Sequence, residues 1–424
     1  RYAFFPSVSA AWRISVGNFW QPLKGWWNDM KIRGSYGSLG NQVMDDLGNF
    51  PYLATYGTNS SYNYLINGSK PVIVKAPGLV APDFTWETVT QMDFGFDASF
   101  LNNRLTGTFD WYRRNTKDML VAGATLPATL GASVPKSNSA DMKTIGWELS
   151  LGWNDRLENG FSYWVKGVLS DYQATITKYA GNDAGFYSQS DGDGKYYVGQ
   201  KIGEIWGYHS NGLFQSDDEA ATIDQSELYA GKWGAGDVKY EDLDNDGKIT
   251  KGEETIYNPG DKSIIGNKTP RYQFGITIGF DYKNFDFEMF WQGTGKRDYM
   301  LSGAQFWGFT SQWDVPYTPA LDYWTETKTD AYFPRPGWQN GGNRVTSDRY
   351  LQSAAYGRLK NLTVGYTIPK NLTTKWGISR LRLYVTGENL LTITPLNDAF
   401  DPETLRGMTY PINRKVAIGL NLTL

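Results

Sequence analysis

The feature that most constrains this chain is an alternation of apolar and polar side chains with a period of two, repeated from one end to the other. In residues 414–424, Val416, Ile418, Leu420, Leu422 and Leu424 share one parity, while Ala417, Gly419, Asn421 and Thr423 share the other. A strand points successive side chains to opposite faces, so this segment predicts a strand with one apolar face and one small or polar face. The same rule places Met92, Phe94, Phe96, Ala98 and Phe100 against Asp93, Gly95, Asp97 and Ser99. It places Phe109 and Trp111 against Thr106, Thr108 and Asp110. It sets Ile145, Trp147, Leu149, Leu151 and Trp153 against Gly146, Glu148, Ser150 and Gly152. Phe161, Tyr163, Val165 and Leu169 follow; then Phe274, Ile276, Ile278, Phe280 and Tyr282; then Phe285, Phe287, Met289 and Trp291 opposite Asp286, Glu288 and Gln292. With further strands expected over 4–14, 29–38, 362–368 and 381–388, the chain carries about eleven.

The spacing of these strands narrows the fold. Tight turns at Asn102-Asn103 and Lys283-Asn284 alternate with long connections, expected over 39–84, 117–140, 180–270, 294–354 and 391–412. Outer-membrane barrels have this rhythm, with short periplasmic turns and long extracellular loops. In that phase the last strand descends and ends on the periplasmic side. Acids in mid-strand (Asp97, Asp110, Glu148, Asp286 and Glu288) suit a wet lumen and do not suit a dry core. The expected fold is therefore all-β, an antiparallel transmembrane β-barrel. Bacterial single-chain barrels have even strand numbers. About eleven strands, starting almost at once from Arg1, are what a portion of a longer barrel would show, with strands missing upstream.

Composition excludes several functions. The chain has no cysteine, which removes disulfides, thiolate metal sites and a Cys nucleophile. Its one histidine, His209, cannot make a His-rich metal site, and a lone loop histidine is expected to be solvated. The net charge of -3, without a basic stripe, gives no footprint for nucleic acid. No apolar run is long enough for a transmembrane helix, a test to which barrels are blind. There is no phosphate loop and no nucleophile–base motif.

One ligand pattern stands out. Asp242-Leu243-Asp244-Asn245-Asp246-Gly247-Lys248-Ile249-Thr250-Lys251-Gly252-Glu253 matches a twelve-residue calcium loop. Asp242, Asp244 and Asp246 occupy positions 1, 3 and 5, Gly247 the sharp turn, Lys248 the carbonyl position and Glu253 the bidentate position 12. A hard cation wants several oxygens at once, and without one these acids repel. The flanks are not helical in pattern, so the expectation is a structural Ca2+ ordering residues 180–270, not an EF-hand. A solvated turn rich in Asp is the competing reading. Trp307, Trp313 and Trp324 lie in one long connection and could stack on sugar rings; packing within the loop or at a membrane interface competes.

Several stretches resemble the SusC/RagA family of TonB-dependent outer-membrane transporters. They are Arg1-Tyr2-Ala3-Phe4-Phe5-Pro6-Ser7-Val8-Ser9-Ala10-Ala11-Trp12, and Lys31-Ile32-Arg33-Gly34-Ser35-Tyr36-Gly37 continuing to Gly40-Asn41. Trp86-Glu87 precedes Phe94-Gly95-Phe96-Asp97, and Tyr332-Phe333-Pro334-Arg335 leads to Ser347-Asp348-Arg349-Tyr350. Then come Arg358-Leu359-Lys360-Asn361-Leu362-Thr363, Glu388-Asn389-Leu390-Leu391, Asp401-Pro402-Glu403 and Tyr410-Pro411. Each is short; their order and spacing cover the chain. It ends in Leu424, where such barrels often end in Phe. The resemblance implies that residues 1–424 are the C-terminal part of the barrel, without the plug and TonB-contacting segment. It implies a bacterial outer-membrane location, no enzyme activity, and import of a large nutrient, an oligosaccharide or a peptide. A SusD-like surface lipoprotein would lid the barrel, and TonB would act through the N-terminal part. The alternative from another class is a soluble, Trp-rich, all-β glycan-binding or glycan-cleaving protein, which as a glycosidase would need paired carboxylates across a cleft.

Overall fold

The structure, a computed structural model, describes residues 3–41, 52–59, 65–66, 68–70, 72–75, 77–81, 84–122, 127, 129, 134–180, 182, 185–186, 196–405 and 409–424. Eleven strands form one sheet: β1 (Ser7–Arg13), β2 (Trp27–Asn41), β3 (Glu87–Phe100), β4 (Leu105–Ala122), β5 (Lys136–Arg156), β6 (Ser162–Tyr179), β7 (Arg271–Tyr282), β8 (Phe285–Lys296), β9 (Tyr356–Thr367), β10 (Arg380–Ile393) and β11 (Lys415–Thr423). They pair antiparallel in chain order, and β1 and β11 are the two edges of this sheet. Connections on one rim are short (14–26, 101–104, 157–161, 283–284 and 368–379). Those on the other run over 42–86, 123–135, 180–270, 297–355 and 394–414.

The parity read from the sequence is the parity of the ladder. Phe109 lies opposite both Phe96 and Leu149, and Leu149 opposite Leu169. Val385 lies opposite both Val364 and Ile418. Phe94, Leu151, Val165, Ile276, Phe285, Val364, Leu383 and Leu420 all expose this face, so one apolar surface runs from strand to strand. A soluble protein rarely exposes a continuous patch of that extent, and a lipid-facing barrel wall requires one. The soluble alternative fails on this surface.

The opposite face is polar and knitted by ions. Arg33 reaches across β3, paired with both Asp97 (3.3 Å) and Asp110. Arg382 donates from Nε to Asp286 Oδ1 (2.9 Å) across β9. Gly365 lies between them, where a Cβ would press on both partners, so glycine leaves room for the pair. On the outward face the short-turn rim carries aromatics. Trp26 and Trp27 stack on Phe100 at 6.0 and 5.2 Å, Phe161 stacks on Phe280 at 5.5 Å, and Trp153 Nε1 donates to the Tyr163 hydroxyl at 3.1 Å. Such a belt of outward aromatics is what a membrane interface favours in a barrel wall.

The two edge strands are shorter than expected, Ser7–Arg13 against 4–14 and Lys415–Thr423 against 414–424, while inner strands reach farther into the long connections. β4 continues to Ala122, β5 starts at Lys136 and β6 runs to Tyr179, so the loop expected over 117–140 shrinks to 123–135. Above the apolar band both faces of a strand meet water. The alternation then disappears from the sequence while the backbone ladder continues.

Candidate functional site

The sequence predicts long connections that are loops rich in Gly, Asn and Tyr, yet three of them share a hydrophobic core. Tyr208, Leu213, Val238, Tyr240 and Ile249 from 180–270 pack with Met300, Phe306, Trp307, Trp324, Phe333 and Tyr350 from 297–355 and with Leu396, Phe400 and Leu405 from 394–414. The signal for this lobe is faint in sequence because its apolar residues come a few at a time from very short strands, a single helical turn and irregular backbone. Burial drives the hydroxyls of Tyr240 and Tyr208 well above their ordinary pKa, so both stay neutral at any physiological pH.

Buried polar residues hold the lobe together, and they include the motifs that carry the resemblance. Asp237 is 1 % exposed and accepts from Arg335 Nε (3.0 Å) and Nη2 (2.7 Å), from Asn343 Nδ2 (2.8 Å) and from the Gly234 N–H (3.0 Å). Arg349 donates to the carbonyls of Ala331 (2.6 Å) and Tyr332 (2.9 Å). Arg358, 3 % exposed on the wall strand β9, pairs with Asp401 (2.6 Å) and Glu403 (3.0 Å), while Lys360 also meets Glu403 (3.2 Å). This last group pins the connection 394–414 to the barrel wall.

His209 is not merely solvated. Its Nδ1 lies 2.8 Å from Asp348 and its Nε2 2.7 Å from the Ser263 hydroxyl, and Asp348 also accepts the Ser210 N–H at 3.0 Å. The arrangement clasps 180–270 to 297–355. Only the fold could reveal it, since the three residues are far apart in sequence.

The acidic loop lies between two short strands, Val238–Tyr240 and Lys262–Asn267, which pair with Ser210–Leu213 and Glu204–Tyr208. Oxygens of Asp242, Asp244 and Asp246 lie within 4.8 Å of one another. Asp242 accepts the N–H groups of Gly247 (2.7 Å), Asn245 (2.7 Å) and Asp246 (3.3 Å), and Asp246 accepts the Lys248 N–H (2.8 Å). Positive φ at Asn245 and Gly247 makes the sharp turn. Desolvation raises the Asp242 pKa, but its backbone donors outweigh this and leave it lowered. The Asp244 pKa is raised, by desolvation first and then by the Asp246 carboxylate. Asp244 is thus the member that a cation would relieve most. Glu253 does not join the group; its N–H donates to the Asn258 carbonyl (3.0 Å) in a separate turn. Buried Asp261 closes the loop's neck, accepting from Leu243 N–H and Thr250 N–H at 2.7 Å each. The chain therefore turns away after Thr250, where an EF-hand would enter a helix and bring its twelfth residue back.

The three tryptophans separate. Trp307 (7 % exposed) and Trp324 (8 %) belong to the shared core, with Trp307 edge-on to Tyr350 at 4.6 Å. Their rings are occupied by protein, which is the packing reading and leaves no free face for a sugar. Trp313 is 83 % exposed, in the same exposed segment as Val315 and Tyr317.

The chain has counterparts among known proteins. The family described as TonB dependent receptor-like, beta-barrel matches residues 1–390. TonB-dependent receptor P3 of Formosa agariphila is 30% identical over 462 residues, covering 100% of this chain and 42% of that protein. TonB-dependent receptor SusC of Bacteroides thetaiotaomicron is 26% identical, covering 100% of this chain and 40% of that protein. The RagAB peptide transporter superposes with a TM-score of 0.77 at 22% identity, over 99% of this chain and 43% of that one, which shows a shared fold. The chain thus spans about two-fifths of the length of the curated relatives it matches. It belongs to the TonB-dependent receptor β-barrel family, and is a piece of the wall of an outer-membrane barrel.

Proposed function

We propose that this chain forms the C-terminal part of the wall and much of the outer mouth of an importer for a large nutrient, an oligosaccharide or a peptide. In this reading TonB supplies the energy through the N-terminal part, and a SusD-like lipoprotein closes the mouth. The observation that carries it is the lobe: three long connections share one core at the exterior rim and are ion-paired to the wall at Arg358. A cap that only excluded water would not need so extended an ordered platform. Relatives named as TonB-dependent receptors, and a shared fold with a peptide transporter, support the importer reading. Uptake of labelled oligosaccharide and peptide by cells carrying the full-length protein should stop when TonB is removed. Uptake of both that is indifferent to TonB would overturn the reading. Trp313→Ala should weaken uptake of a glycan several-fold and spare that of a peptide lacking aromatic residues; equal uptake of the glycan by both proteins would remove Trp313 from recognition.

Within the lobe, Asp242, Asp244, Asp246 and the Lys248 carbonyl are the proposed Ca2+ ligands, with the Glu253 position completed by solvent or by movement of its turn. Calorimetry on the full-length protein stripped of divalent ions should register Ca2+ binding. Asp244→Asn should weaken it at least ten-fold, and Glu253→Ala less. Absence of heat from the wild type would leave a solvated Asp-rich turn.

A further inference from the structure

Just beyond the apolar band, the outward face turns basic. On β4, outward Phe109 and Trp111 are followed at the same parity by Arg113, Asn115 and Lys117. On β5, outward Ile145 is preceded by Lys143. The register brings these residues together. Arg113 lies opposite Ile145 and Asn115 opposite Lys143. Lys143 lies opposite Thr175, and Thr175 bridges Lys201 on its other side. Residues directly opposite in an antiparallel pair share a face. Lys201, Thr175, Lys143 and Asn115 therefore form one row, with Arg113 a step nearer the apolar band and Lys117 a step farther from it.

The four cations are unspent. Among the described residues none of them has a carboxylate partner, and Arg113 donates only to the Asn115 side-chain oxygen, at 3.4 Å. The acids that border the row are not ion-paired to its cations. Asp171 is paired with Arg271, Asp141 accepts the Asp118 N–H (3.0 Å), and Glu204 accepts the Tyr197 hydroxyl (2.6 Å) and the Lys201 N–H (3.1 Å). Arg113, Lys117 and Lys201 are exposed and Lys143 is half-buried.

We propose that this row binds the phosphate groups of anionic lipid headgroups in the outer leaflet. Its height fixes the occupant. It sits on the lipid side of the wall, at the end of the apolar band that acyl chains cover, and on the rim that bears the long connections. Nutrient in the lumen meets the other face. Ammonium and guanidinium groups donate charge-assisted hydrogen bonds to phosphate, and the Thr175 hydroxyl and Asn115 amide between them can add neutral ones. Basic residues at a membrane surface each strengthen attraction to anionic lipid. The proposal rests on the long connections facing the exterior.

The test uses the full-length protein in nanodiscs of phosphatidylglycerol and phosphatidylcholine in equal parts, with retained lipid counted by native mass spectrometry. Wild type should retain phosphatidylglycerol preferentially. The combination Arg113→Gln, Lys143→Gln and Lys201→Gln should cut that preference at least five-fold, about the effect of one surface cation. Arg114→Gln with Lys166→Gln, both on the lumen parity, should leave it unchanged. Heat-modifiable gel mobility reports folding, and Lys201→Gln alone, outside the large sheet, gives the readout if the triple variant fails it. An unchanged preference in the folded variants, or equal loss from the lumen pair, overturns the proposal. So does inorganic phosphate raising the melting temperature of wild type in zwitterionic discs as much as phosphatidylglycerol does, since the row would then be a site for free anions.

Discussion

Asp237→Ala in the full-length protein is expected to unfold the outer lobe while the barrel stays assembled. Asp237 is a buried carboxylate whose oxygens are shared among the Arg335 guanidinium, the Asn343 amide and the Gly234 N–H. Removing it leaves the buried Asn343 amide and Gly234 N–H without an acceptor, while the Arg335 side chain, 41 % exposed, turns to water; each stranded buried donor costs roughly 1–3 kcal/mol. The lobe draws on a modest core, so a loss of that size is a large share of its stability. The wall does not depend on Asp237, because its ladder and its own pairs at Arg33 and Arg382 lie elsewhere. Limited proteolysis in detergent should cleave within residues 200–350 of the variant much faster than in the wild type, with heat-modifiable mobility retained. Uptake should fall with the lobe. A wild-type cleavage pattern would show that the network at Asp237 does not hold the lobe.

This variant is a cleaner probe of the mouth than excising the acidic loop with its surroundings. Residues 230–260 contain Asp237, Val238, Tyr240 and Ile249, all buried in the lobe. Their deletion would remove the lobe's packing together with any metal site, and the two losses could not be told apart. Asp244→Asn touches the acidic loop alone.

What could be read from the residues depended on whether period two was physically enforced. Between Trp153 and Ile145 one face of β5 meets lipid and the other the lumen, and there the sequence specifies strand, facing and register together. From Lys136 to Thr144 the same strand stands above the band, both faces tolerate polar groups, and the alternation no longer marks it. The lobe is hidden for a different reason. Phe306 comes from a single helical turn, and Trp324, Tyr350 and Leu396 from turns and irregular backbone, so no period announces that they meet. The clustering of Asp242, Asp244 and Asp246 is legible because their spacing is local. The placement of Glu253 away from that cluster is not, because it depends on Asp261 closing the neck eleven residues after Thr250. The clasp at His209 needs Asp348 and Ser263, which only the folded chain supplies.

Leu149→Arg should be among the most damaging single changes to the wall, and Ser150→Arg a mild one. Leu149 lies opposite Phe109 on β4 and Leu169 on β6, in the middle of the outward apolar stretch between Trp153 at the aromatic belt and Ile145 beside Arg113. An arginine on the lipid face near the midplane costs roughly 2–4 kcal/mol, because the guanidinium must be stripped of water or must thin the bilayer around it. Four residues of tilted strand separate Leu149 from either end of the stretch, too far for the side chain to reach headgroups without distortion. Ser150 is its neighbour in sequence and its opposite in facing, beside Thr108 and Val168 on the lumen side, where an added charge meets water. Refolding of the full-length protein into liposomes across a urea series separates the two. Leu149→Arg should shift the midpoint markedly and Ser150→Arg little. Equal shifts would mean that the two faces of β5 meet the same medium, and the assignment of lipid and lumen would fall with them.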